Sequence, residues 1–166
     1  MQHHTSEKMK KTSLILILLF LFVGTQQTSA QDQGFGLGLM VGEPTGLSAK
    51  LWTSDDNALA FGLGWSTYHP RFEDSGTRIH FHMDYLWHSF NAIKSEERFV
   101  WHYGLGGRFK SIGGDNGSFA ARGVGGISWI PRRSPVDVFI ELAPSFEFTP
   151  SVGFGMDAAL GARYYF

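Results

Sequence analysis

From residue 34 onward, apolar and polar side chains alternate with a period of two through nearly the whole chain. Such alternation marks β-strands with two unlike faces. Eight runs carry it: 34–42, 46–53, 57–66, 78–90, 98–111, 118–130, 136–149 and 152–166. In the fourth, Ile79, Phe81, Met83, Tyr85 and Trp87 interleave with His80, His82, Asp84, Leu86 and His88. The sixth is the least regular, with Arg122, Val124 and Ser128 on one side and Ala121, Ile127 and Trp129 on the other. The connectors, among them Glu43-Pro-Thr45, Ser54-Asp-Asp56 and Pro131-Arg-Arg-Ser-Pro135, carry turn chemistry. None has room for a crossover helix, which predicts an antiparallel up-and-down meander.

One face of this meander is Leu, Ile, Val, Phe, Met, Tyr and Trp in every run, and the other is Gly, Ala, Ser, His and charge. The lumen of an eight-stranded barrel is only just wide enough for side chains to fill. The bulky face is therefore expected outside and the small or charged face inside. An outward apolar face is stable only against lipid. The expectation is all-β: an eight-stranded antiparallel up-and-down transmembrane β-barrel. Trp87, Phe99, Trp101, Trp129, Tyr164 and Phe166 then gather at the rim holding both termini, expected to be periplasmic. Trp65, Phe109, Phe119, Phe148 and Phe154 gather at the other, as interfacial aromatic belts.

The segment before the strands changes the compartment. Lys8, Lys10 and Lys11 precede the apolar run 14–23, and Thr28-Ser-Ala30 follows it. This reads as a secretory signal peptide, residues 1–30, cleaved before Gln31, with the barrel domain at 31–166. Ten apolar residues fall short of the ~20 of a helical span. The leader carries a net charge of +2, so the whole chain's −1 becomes −3 in the mature protein. With no basic cluster, nucleic acid is not an expected partner. With no Cys, disulfides and thiolate metal sites are excluded.

The eight staves, the leader and the terminal Arg163-Tyr-Tyr-Phe166 resemble the OmpA/OmpX-type small outer-membrane β-barrels of Gram-negative bacteria. Gly42-Glu-Pro-Thr-Gly-Leu47 and Asp84-Tyr-Leu-Trp-His88 resemble short barrel domains of that kind that have no known activity. The resemblance implies an outer-membrane location, with Tyr164 and Phe166 as the insertion signal read by the barrel-assembly machinery. It implies outer-membrane lipid and lipopolysaccharide as surroundings and a monomer. It implies a structural or surface-interaction role, not an enzyme, and no cofactor. The connection from Tyr68 to Gly76, the longest on the outer side and aromatic, is the candidate contact for an extracellular ligand.

Parity places Lys50, Arg108, Lys110, Arg122 and Arg163 inside with Asp84, Asp137, Glu141, Glu147 and Asp157. A charge enclosed away from water needs a partner. The expected luminal network is Lys50, His80, His82, Asp84, His102, Arg108, Arg122, Asp137, Glu141, Asp157 and Arg163. Hairpins turning at 93 and 150 would set Asp84 opposite His102 and Asp137 opposite Arg163, and Arg108 would face Arg122. Three alternatives compete with a structural network. His80-x-His82-x-Asp84 with His102 has donors for zinc, but they spread along the strand about 6.5 Å apart. His88-Ser89-Phe90-Asn91 weakly echoes barrel enzymes that modify lipid A, yet adjacent His88 and Ser89 point to opposite faces. Luminal glycines at 36, 38, 62, 64, 104, 106, 153, 155 and 161 would leave room for a narrow, porin-like channel.

Overall fold

The computed structural model describes residues 34–66, 78–93, 97–111, 117–132 and 134–166. The leader and the connection from Tyr68 to Gly76 lie outside the described residues. Eight strands form: β1 (Phe35–Gly42), β2 (Thr45–Trp52), β3 (Asn57–Ser66), β4 (Arg78–Ser89), β5 (Phe99–Ser111), β6 (Gly117–Trp129), β7 (Val136–Thr149) and β8 (Gly153–Tyr165). Every end falls within one residue of the boundary read from the alternation. Each strand pairs antiparallel with the next, and β8 pairs with β1, closing a barrel without an edge.

The stagger sets the barrel's size. Cross-strand partners run from Tyr164 through Leu37, Ala49, Phe61, Met83, Gly107, Ala121 and Phe146 to Phe154. One circuit thus returns to β8 ten residues from its start. Ten residues of shear over eight strands tilt them by about 40° and give a backbone radius of about 8 Å. That radius is filled by side chains, as the sequence requires.

Among the described residues, twenty-eight large hydrophobic side chains are exposed, from Phe35 on β1 to Phe166 after β8. All but Val152 and Phe166 occupy outward positions of the eight strands. All ten charges assigned inward by parity are buried. A water-soluble barrel would have the two faces reversed.

The bulky face is not wholly outside. Trp52, Leu86, Phe139 and Tyr165 point inward and are buried, correcting the rule that large residues face out. They fit because small residues oppose them. A Cβ at Gly36 would meet the Tyr165 ring at 2.8 Å, and one at Gly161 would strike the Phe139 ring. Trp52, Ala58, Val100, Ile130 and Tyr165 form a floor at the end carrying the termini, with Phe90 packed against it. The opposite end is closed in part by the β1–β2 turn. There Gly42 adopts φ +126°, open to glycine, and its N–H donates to Thr45 Oγ1 at 3.1 Å.

Candidate functional site

Among the described residues, the polar side chains converge in the lumen, in two storeys. The lower one sits on the aromatic floor. Asp137 on β7 lies directly opposite Arg163 on β8, as the hairpin arithmetic expects. Its Oδ2 accepts from Arg163 Nη1 at 3.2 Å and from Tyr165 Oη at 2.8 Å, and Lys50 Nζ stands 3.6 Å away. Arg163 Nε also donates to Ser48 Oγ at 2.8 Å, and its guanidinium lies 3.7 Å from the Phe139 ring centroid. The second acid is Glu141. Its Oε1 is 3.1 Å from His102 Nε2 and 3.6 Å from Arg163 Nη2. Charge-assisted bonds of this kind compensate the desolvation that burial imposes.

The upper storey lies toward the β1–β2 turn. Arg108 Nη1 donates to Asp157 at 2.7 Å and Nη2 to Glu147 at 2.5 Å. Lys110 Nζ donates to Asp157 at 3.1 Å and to Glu43 in the turn at 3.4 Å. Below them Arg122 Nε faces Asp84 at 3.2 Å, a charge contact without hydrogen-bond alignment. Buried Ala60, Leu86, Val124 and Ala143 cluster on the inner wall at mid-height.

Two expected juxtapositions fail. Asp84 is opposite Gly106, and the partner of His102 is His88. Arg108 is opposite Ala120, and Arg122 is opposite Gly106. The β4–β5 and β5–β6 registers are offset by four and two residues from those assumed, and in antiparallel pairing such a shift re-pairs the whole strand. The consequence for metal is direct. His80 Nε2 lies 3.2 Å from His82 Nδ1, and His82 lies 3.8 Å from Asp84, but His102 belongs to the Glu141 group. Among the described residues no three His, Asp or Glu side chains form a metal-binding cluster.

His88 points into the lumen, 4.3 Å from the Trp52 ring centroid, with Nδ1 near Asp56 O at 3.2 Å. Ser128 Oγ is 3.4 Å from His102 Nδ1, so Ser128, His102 and Glu141 stand in the order of nucleophile, base and carboxylate. Neither Ser128 nor His102 has accessible surface, so no substrate reaches the hydroxyl. The three side chains link β5, β6 and β7.

Lys110 and Glu147, placed inside by parity, join the network, and Ser48, Ser128 and Tyr165 join it beyond the residues assigned from sequence. Their parity places them inward. Glu43 sits in a turn, where alternation gives no signal. The luminal glycines are covered by neighbours: His82 stands over Gly62, Asp84 over Gly106 and His102 over Gly126. Tyr164 and Phe166 are exposed at the closing end, with ring centroids 5.2 Å apart.

The class defined by this arrangement is a closed eight-stranded antiparallel barrel with a charged, side-chain-filled interior and an apolar exterior. Comparison with protein-family models, curated proteins and solved structures finds no match in any of the three.

Proposed function

We propose that the mature chain is an integral outer-membrane β-barrel of the OmpA/OmpX type, with a structural or surface-interaction role and no catalytic one. The observation that carries this reading is the inversion of polarity: among the described residues, ten charges are buried in the lumen and twenty-eight large hydrophobic side chains are exposed around it. An exposed apolar belt on every strand far exceeds the patches a soluble monomer tolerates. Exposed Trp87, Trp101, Trp129 and Tyr164 toward one end and Trp65, Phe119 and Phe148 toward the other support two interfacial belts. The ion-paired lumen supports a plug rather than a pore, since side chains stand over Gly36, Gly62, Gly106, Gly155 and Gly161, where a channel would need space. The test is fractionation with outer membranes together with heat-modifiable gel mobility. A mature chain that stays monomeric in detergent-free buffer overturns the reading.

A further inference from the structure

Between β6 and β7 the outer wall is interrupted at mid-strand. In the β6–β7 ladder the partners run to Arg122↔Ser145 and resume at Gly125↔Leu142. The two missing pairs, 123 with 144 and 124 with 143, are those that an N–H at 144 would close onto the Gly123 carbonyl. Residue 144 is proline, which has no N–H. The Gly123 carbonyl therefore receives no ladder donor, in a sheet where an unsatisfied backbone group facing lipid is costly.

The wall is also thin there. A Cβ at Gly123 would meet only the Pro144 ring, at 3.9 Å, and one at Gly125 would meet nothing within 4 Å. The luminal glycines are covered, whereas these outward ones open onto space. A groove of about 360 Å³ results, walled by Leu105, Ala121, Pro144, Phe146 and Phe154 with Gly123 in its floor. That volume lies within the ~300–1,000 Å³ range of small-molecule sites.

We infer that this groove holds a lipid acyl chain bearing a hydroxyl, with the hydroxyl donating to the Gly123 carbonyl. The walls suit a hydrocarbon tail, and the carbonyl left without a ladder donor belongs to a residue lining the groove, so a single donor on the tail complements it. The inference rests on the membrane reading, because only there is an acyl chain the medium against this face.

The test uses the full mature chain refolded into phosphatidylcholine vesicles, with the Gly123 carbonyl carbon labelled. β-Hydroxymyristate and myristate are titrated at equal bilayer mole fraction and followed by the carbonyl chemical shift. The expected result is a preference of about five-fold for the hydroxylated tail, the effect of one net hydrogen bond. Pro144→Val restores the ladder donor and is expected to abolish the preference while leaving the groove. Gly123→Leu fills the groove and is expected to remove binding of both tails, read by displacement of a spin-labelled fatty acid. Equal affinity for the two tails in the native chain overturns the inference, as does a preference that survives Pro144→Val. Failure of the chain to insert into the vesicles overturns the membrane reading and the inference with it, whereas insertion with equal affinity for the two tails overturns the inference alone.

Discussion

The two storeys of the lumen use the same chemistry under different enclosure. In the lower one, Asp137 and Lys50 have no accessible surface, and Arg163 has 3%. The Trp52–Tyr165 floor shuts them from below. In the upper one, the acids nearest the mouth keep some side-chain exposure, 18% for Glu43 and 11% for Glu147. Ion-pair strength is therefore expected to follow access to water rather than distance. The shortest contact, Arg108 with Glu147 at 2.5 Å, belongs to the more open storey. Breaking a sealed pair strands a charge that water cannot reach, whereas a pair at the mouth can be rehydrated.

The largest effect is expected from Asp137→Ala. It leaves Lys50 and Arg163 facing an empty site, and the expected loss is ~3–5 kcal/mol of stability. Urea unfolding of the refolded barrel in vesicles reads this, and a loss below that of Glu147→Gln would overturn the ordering. Adding Lys50→Met is expected to recover part of the loss, because one stranded cation is gone. Next is Phe139→Ala, which empties the space over Gly161 and uncovers the Arg163 guanidinium. A loss of ~3–4 kcal/mol is expected, as for other buried aromatic truncations.

In the upper storey the effects shrink. Glu147→Gln removes one of the two carboxylates on Arg108 but leaves Asp157. The expected loss is ~1–2 kcal/mol. Glu43→Gln is expected to change stability by less than ~1 kcal/mol. High salt should diminish the Glu43 effect and leave the Asp137 effect nearly unchanged, because screening acts on charges that solvent reaches. Equal salt sensitivity at the two sites would show that the floor does not seal the lower storey.

Much of this was legible in the alternation. Parity put Lys50, Arg108, Lys110, Arg122, Arg163 and their five acids inside, and each is buried. The Asp137–Arg163 pair followed from a short β7–β8 turn, which leaves little freedom of register. Pairings across the longer β4–β5 connection did not follow, because its turning point is not encoded in the strands' alternation. Asp84 thus pairs with Arg122 two strands away rather than with His102 on the neighbouring one. The inward Trp52, Phe139 and Tyr165 could have been found by parity but were masked by the assumption that large residues do not fit. Each fits because a glycine or another small residue on an adjacent strand makes room, which is a property of pairs.

By itself the sequence determined the number of strands, their limits and which side of each is polar. Those features are local, since a strand's two faces follow from the period-two geometry of its own backbone. Only the tertiary structure decided the shear of ten, the partners of each buried charge, the floor of the lumen and the gap at Pro144. All of these depend on how one strand slides against another, and that is fixed by closing the sheet on itself and filling its interior.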